Sequence, residues 1–261
     1  MVTGPESRAG RGLAGRRVLV IGASSGIGRS FALQALEDGA RVVVTARRAE
    51  RLAEMVGTSG NAMAVTGDVR DRHDCERMVT AAAGYLGQLD LIVYAAGTAS
   101  LRPLVETTAE DWAMVLETHV VGVHHVVQAA LGHLAPGSLM AILSSETVGR
   151  PRFGLGAYSA SKAALEESVR AWRVEHPRQR LMTIAVGATA PTGFGDSFDP
   201  DRLREALDHW TRHGLMTEDL LDPDDVAGTL VGVLGVALEF PAVGLEYLVV
   251  RPPSPVVDRF G

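Results

Sequence analysis

Tyr158 and Lys162 stand four residues apart in "AYSASKAAL", residues 157–165. On a helix the i and i+4 positions share one face, so the phenol and the ammonium point the same way. A free phenol titrates at about 10, too high to trade protons readily at neutral pH. A neighbouring ammonium favours the phenolate and lowers that value. Tuned in this way, Tyr158 can protonate a carbonyl oxygen during reduction, or take the proton of an alcohol during oxidation. Lys162 can also hydrogen-bond the hydroxyls of a cofactor ribose. The small residues Ala160, Ala163 and Ala164 let such a helix pack closely on a sheet or on a partner helix. Alone, Tyr-x-x-x-Lys is more often a surface pair. Here Ser145 ends an apolar run thirteen residues before Tyr158, where its hydroxyl can polarise a substrate oxygen.

A second constellation lies near the start, in "IGASSGIGRS", residues 21–30. Gly22, Gly26 and Gly28 are spaced G-x-x-x-G-x-G between an apolar run and a helical one, with Ser24, Ser25 and Ile27 among them. Glycines there permit a tight turn and close backbone approach. The helix N-terminus then offers N–H groups and partial positive charge to a pyrophosphate. A plain tight turn is the alternative, and the strand–turn–helix setting favours the nucleotide. The next apolar run ends in Thr45, Ala46, Arg47 and Arg48, with no acid to hold a ribose diol. Arginine can pair bidentately with a 2′-phosphate, although two arginines can also simply solvate a helix start. NADP(H) is therefore expected ahead of NAD(H), with Arg47 on the phosphate and Ser24 as a second contact.

The elements that must position these groups follow from hydrophobic patterning. Apolar strand-like runs at 16–22, 41–47, 61–69, 90–97, 137–145, 180–187 and 245–250 alternate with helical segments. The helices are expected near 26–40, 48–56, 71–87, 108–134, 157–175 and 223–237. Seven strands with helical crossovers predict an α/β fold, a mainly parallel sheet covered on both faces. Residues 188–222 break the rhythm with Pro191, Gly193, Gly195 and Pro200, and read as a substrate lid with a short helix to about His213. Residues 1–14 read as a flexible lead-in, and 15–261 as a single catalytic domain. The Pro-rich tail 251–261 reads as a cover for a neighbouring subunit or the pocket rim.

Composition narrows the class. Of 261 residues, 46% are apolar and 21% charged, which suits one globular domain with a substantial core. A net charge of -6 gives no electrostatic footprint for nucleic acid or an anionic membrane. The one cysteine, Cys75, excludes an internal disulfide framework and a cysteine-rich metal site, and points to a cytoplasmic setting. No apolar run reaches the roughly 18 residues needed to span a bilayer. His209 and His213 share a helical face but lack a third ligand, so no metal is expected.

Taken in order, the glycine turn 22–28, "GDV" 67–69, "YAAG" 94–97, "LSS" 143–145 and "YSASK" 158–162 make the chain resemble the short-chain dehydrogenase/reductase family, from about residue 15 to residue 250. The resemblance implies a Rossmann-type doubly wound sheet and hydride transfer between a nicotinamide and a carbonyl or alcohol. By it, Tyr158 is the acid/base, Lys162 lowers its pKa and grips the ribose, and Ser145 positions the substrate oxygen. Asp68 and Val69 would contact adenine, while Ala95, Ala96, Gly97, Gly187 and Thr189 would line the cofactor. Helices near 108–134 and 157–175 would pair across a two-fold axis, giving a homodimer or homotetramer.

Four residues depart from the family pattern. Ile21 removes a hydroxyl that would tie the turn, Tyr94 replaces an asparagine, and Val186 replaces a proline and would loosen the loop after it. His119 stands where the family's catalytic asparagine normally sits. It either carries a proton relay with Lys162 or plugs the relay's water. Glu146 faces the substrate cavity or solvent. Phe153, Leu155, Phe194 and Phe198 are expected to build an apolar substrate wall. The expected function is an NADP(H)-dependent oxidoreductase for an apolar ketone or alcohol. The alternative is a cofactor-binding sensor or scaffold with little turnover.

Overall fold

The computed structural model describes residues 12–57, 59–216 and 220–253. Residues 1–11 of the expected lead-in, 217–219 of the expected lid and 254–261 of the tail lie outside the described residues. Leu13 is fully buried and its N–H is bonded to Asp38, so the packed chain reaches back past the expected boundary at residue 15.

Seven strands form one parallel sheet in the order β3-β2-β1-β4-β5-β6-β7. They are β1 Arg17–Ile21, β2 Arg41–Ala46, β3 Ala62–Thr66, β4 Leu89–Tyr94, β5 Leu134–Ser145, β6 Arg180–Val186 and β7 Tyr247–Val250. Side chains alternate across a strand, so one strand feeds two cores. Val18 and Val20 of β1 join Phe31 and Ala35 of α1 (Gly26–Glu37) and Leu230 and Leu234 of α8 (Pro223–Glu239) on one face. Leu19 and Ile21 join Met78 and Val79 of α3 (Arg72–Leu86), Val126 of α5 (Gly122–Ala130) and Leu165 of α6 (Gly156–Glu175) on the other. Both faces are covered, as continuous apolar runs require. The strand order reverses between β1 and β4, and a crevice opens there at the carboxyl ends of the strands.

Two short helices complete the first half and the lid: α2 (Ala49–Val56) and α7 (Pro200–Arg212). The excursion after β6 is closed at its base by a bridge between Thr189 and Leu221. Its helix α7 starts at Pro200, with the Asp199 side chain accepting from the N–H groups of Asp201 and Arg202. Trp210 of α7 donates its indole N–H to the Phe153 carbonyl at 2.8 Å, which anchors the segment to the loop before α6.

The helix expected over 108–134 carries one irregular turn and ends at Ala130. It runs as α4 (Ala109–Leu116), one π turn over Glu117–Val121, and α5, and β5 begins at Leu134. In the π turn the Gly122 N–H reaches back to the Glu117 carbonyl. Tyr94, fully buried at the end of β4, donates to the Thr118 carbonyl at 2.6 Å. A Cβ at residue 122 would sit 2.6 Å from that phenol oxygen, so Gly122 is what lets the ring approach. The tyrosine that departs from the family pattern therefore satisfies a buried carbonyl of the π turn.

The other departures are absorbed locally. Ile21 is a core residue, and the turn after it is tied by the Gly22 and Ala23 N–H groups donating to the Thr45 carbonyl at 2.8 and 3.0 Å. Val186 is buried and in register with both Ser145 and Val250, so the strand is paired on both sides up to Gly187.

Tyr94→Phe removes the donor and leaves the Thr118 carbonyl buried without it, a cost of about 1–3 kcal/mol. The expected outcome is a lower urea midpoint at unchanged m-value. An unchanged midpoint would mean that the carbonyl finds another donor.

Candidate active site

The crevice between β1 and β4 opens into a cavity of about 530 Å³ lined by both constellations found in the sequence. On the cofactor side stand Gly22, Ser24, Ser25, Gly26, Ile27 and Gly28, then Arg47, Asp68 and Val69, and the Ala95–Gly97 backbone. Ser145, Glu146, Leu155, Tyr158, Lys162, Gly187, Thr189 and Phe194 complete the wall. Three expected site residues lie behind it. Phe153, before α6, and Phe198, in the lid segment, pack against the cluster that holds Trp210, and His119 is fully buried beside Tyr158.

The glycine turn fits a dinucleotide. Gly22 has φ +87°, and a Cβ there would lie 2.4 Å from the Ala96 nitrogen. A Cβ at Gly28 would lie 2.5 Å from the Gly22 carbonyl oxygen. Backbone thus approaches backbone where side chains would block the groove. Ser25, the N-cap of α1, makes no side-chain capping bond, and the first turn holds no acidic residue. The free N–H groups and the helix dipole both suit an anion.

Arg48 reaches the glycine turn, while Arg47, expected on the 2′-phosphate, also lines the cavity. Arg48 donates to Ser24 Oγ at 2.9 Å and to Ser25 Oγ at 2.8 Å. Arg47 is largely exposed, with a guanidinium nitrogen 4.0 Å from Asp68. Burial and the neighbouring Arg51 and Arg47 lower the Arg48 pKa, while Asp196 raises it. Asp68 faces the cavity, but its carboxylate is already held by Arg70 at 2.7 Å. The sequence carried Arg48 and Arg70 in view, yet nothing in their spacing said which way either side chain turns.

At the other end of the cavity, Ser145 Oγ accepts from the Thr147 N–H at 3.2 Å and the Thr147 hydroxyl at 3.0 Å. Its own proton is left to donate. Burial pushes the Tyr158 pKa up, and the Ser145 hydrogen bond and the Arg152 charge work against that rise. This reverses the expected direction, because the ring is enclosed and desolvation penalises the phenolate. Lys162 lies 5.9 Å from the centre of the Tyr158 ring and donates to the Leu143 carbonyl at 2.8 Å. The charge that opposes the rise is that of Arg152, beside the cavity, in addition to the Lys162 expected for this role.

Lys162 is itself strongly perturbed. Burial pulls its pKa down to about 7, against the opposing charge of Glu166 one helical turn on. Glu166 is buried and accepts from Ser144 Oγ at 2.7 Å. Glu166 carried no motif that would have singled it out.

The direct partners of His119 are Thr98 and Ser161. Its Nε2 accepts from the Thr98 N–H at 3.1 Å, and its Nδ1 lies 2.7 Å from Ser161 Oγ. Ser161 donates its one proton to the Tyr158 carbonyl at 2.7 Å. Nδ1 must then be the donor to Ser161, which fixes a neutral tautomer. Burial, and then the Lys162 charge, hold the imidazole pKa well below 6.5. With both nitrogens committed, His119 is a brace between the loop after β4 and the turn of α6 that carries Tyr158.

Lys162 makes stability depend on pH in a definite sense. An unfolded lysine titrates at about 10.4, whereas this one titrates at about 7 in the fold. Between those values the unfolded chain binds the extra proton, so stability rises with pH; below that window the full burial cost applies. Relative to Lys162→Met, the wild type should gain stability from about pH 7 to about pH 9 in urea unfolding. A difference that stays constant with pH would show that the folded ammonium keeps its proton.

Comparisons with known proteins agree with this geometry. A family model described as short chain dehydrogenase matches residues 16–202. A glycine betaine reductase, ATRR, of Emericella nidulans is 33% identical over 231 residues, which is 85% of this chain and 18% of that protein, so the chain spans under a fifth of that relative. A hydroxynaphthalene reductase-like protein, Arp2, of Metarhizium majus is 33% identical over 70% of each chain. The crystal structure of a short chain dehydrogenase from Burkholderia cenocepacia J2315 in complex with NADP is 28% identical. It superposes with a TM-score of 0.77 over 92% of this chain and 97% of that one. With the family match spanning most of the sequence and the fold shared nearly throughout, the chain belongs to the short-chain dehydrogenase/reductase family and is an NAD(P)-dependent oxidoreductase.

Proposed function

We propose that the protein is an NADPH-dependent carbonyl reductase. One observation carries this reading: a single cavity is lined by the glycine turn and by Ser145, Tyr158 and Lys162. When bound, the nicotinamide supplies the hydride. The chain's own residues do the rest. The Gly22–Gly28 turn and the start of α1 would hold the pyrophosphate, and Lys162 the ribose hydroxyls. Ser145, its oxygen already accepting twice from Thr147, would donate a hydrogen bond to the substrate carbonyl oxygen and keep its proton. Tyr158 would give its phenolic proton to that same oxygen as the carbonyl carbon is reduced.

Burial supports the reductive direction. A phenol whose pKa is raised stays protonated at neutral pH, which suits a proton donor and handicaps a base. The two relatives described above are both named as reductases. NADP(H) is favoured by the crowding of Arg48 with Arg47 and Arg51, since a 2′-phosphate would relieve their mutual repulsion and accept from Arg48. A sensor without turnover is disfavoured, because nothing in nucleotide binding alone requires Ser145 beside Tyr158. A homodimer or homotetramer is supported by the exposed apolar side chains Leu116, Val121 and Val174 near α4–α5 and on α6. No helix among the described residues is long and apolar enough to cross a membrane.

The test is NADPH oxidation with a panel of ketones. Tyr158→Phe should lower kcat by roughly 10²–10⁴-fold, the range for a lost general acid, with cofactor binding retained. Turnover that survives this change would overturn the assignment. Arg48→Ala should raise the KM for NADPH by about tenfold or more while leaving that for NADH nearly unchanged, as expected for a lost charge-assisted bond to phosphate. An equal effect on both cofactors would remove Arg48 from 2′-phosphate recognition.

A further inference from the structure

The substrate half of the cavity is not purely apolar. Glu146 follows Ser145 directly at the end of β5, and Arg152 lies in the turn that leads into α6. Their side chains form an ion pair that is only 10% exposed on the arginine side and 20% on the glutamate side. Both line the cavity that Ser145 and Tyr158 line. Glu146 Oε1 also accepts the Ala188 N–H at 3.2 Å, and the Arg152 guanidinium sits over the Trp210 ring at 5.7 Å. The pair is therefore fixed from three sides: by the loop after β6, by α7 and by each partner.

Its hydrogen-bonding capacity is not used up. Arg152 engages Glu146 through Nη2. Among the described residues no hydrogen bond is made by Arg152 Nε or Nη1, or to Glu146 Oε2. An arginine carries five donors and a carboxylate about four acceptor positions, so a donor and an acceptor remain side by side at the cavity wall. The neighbouring wall, Leu155 and Phe194, is apolar.

We propose that Arg152 and Glu146 form a recognition pair for a second oxygen function on the substrate, so that the preferred substrates are hydroxylated ketones rather than plain hydrocarbon ketones. This rests on the carbonyl-reductase reading and narrows its substrate class, replacing the purely apolar substrate expected from Phe153, Phe194 and Phe198. A hydrocarbon that fills the pocket strips water from the spare N–H groups and from Oε2 and returns nothing, and buried polar groups left unpaired are costly. A hydroxyl accepts from Arg152 and donates to Glu146. Sites built to bond a substrate hydroxyl discriminate strongly against the analogue that lacks it. A neutral hydroxyl fits better than a carboxylate, because Glu146 already supplies the negative charge beside the guanidinium.

The experiment compares acetophenone with its 2-, 3- and 4-hydroxy isomers in wild type, Arg152→Met, Arg152→Lys and Glu146→Gln. In wild type at least one hydroxy isomer should exceed acetophenone in kcat/KM by about tenfold or more. Arg152→Met should erase that preference mainly through KM, and Arg152→Lys, which keeps charge without the planar fork, should restore part of it. Arg152 also bears on Tyr158, but losses by that route fall on both ketones alike and cancel in the ratio. A wild type with no preference, or a preference that survives both Arg152→Met and Glu146→Gln, overturns the proposal. Calorimetric binding of the same ketones to NADP⁺-loaded protein reads recognition without turnover. If no ketone is reduced, yet a hydroxy isomer binds wild type more tightly and Arg152→Met equally, the reductase reading fails and the recognition pair stands. Equal binding of all isomers to wild type sinks the pair whatever the turnover.

Discussion

Removal of water from ionisable groups at the carboxyl end of β5 is the constraint on which the site depends. Tyr158, Lys162 and Glu166 of α6 and His119 of the π turn are all buried there. In such a place each group takes the protonation state that its surroundings can solvate. The phenol is held protonated, the imidazole neutral, and the lysine close to its titration point with a carboxylate behind it. The state that suits proton donation is thus set by enclosure first and by neighbouring charges second.

Enclosure demands that polar atoms find partners inside the protein, and the unusual residues of this chain answer that demand. The π turn leaves a carbonyl at Thr118 that Tyr94 caps. The same irregular turn carries His119, which is bonded at one nitrogen to Thr98 and at the other to Ser161. Ser161 in turn holds the Tyr158 carbonyl. A chain of short contacts therefore runs from the end of β4, through the π turn, to the backbone of the reactive tyrosine. Irregular turns of this kind cluster at functional sites because a regular helix cannot bring these side chains together. Seen in isolation, Tyr94 and His119 look like losses; together with Gly122 they form one packing solution.

The cavity divides by polarity in a way that matches its two tasks. At the glycine turn, backbone N–H groups and the Arg48 guanidinium gather where negative charge is expected. At the other end an apolar wall is interrupted by one ion pair beside the reactive phenol. A few fixed polar groups in an apolar surround orient a ligand more sharply than many would, since each has few alternative partners.

Much of this was legible in the linear chain. Alternation of apolar runs with helical segments determined a parallel sheet buried on both faces, and the spacing of Gly22, Gly26 and Gly28 determined a turn where only backbone fits. Ser145, Tyr158 and Lys162 could be picked out because their signals are local: a strand end, and an i,i+4 pair. What the sequence left open involves contacts between distant residues. Arg48 reaches Ser24, His119 reaches Ser161, Tyr94 reaches Thr118 and Trp210 reaches Phe153, and each pair is separated by more than twenty positions. The π turn within the helix expected over 108–134 belongs with them, because the phenol that caps its Thr118 carbonyl arrives from β4. Periodicity and propensity act over one or two turns of chain, so they specify elements and the faces those elements bury. Which donor meets which acceptor, and which charge loses its water, depends on where the packed sheet and helices bring remote segments, and only the tertiary structure decides that.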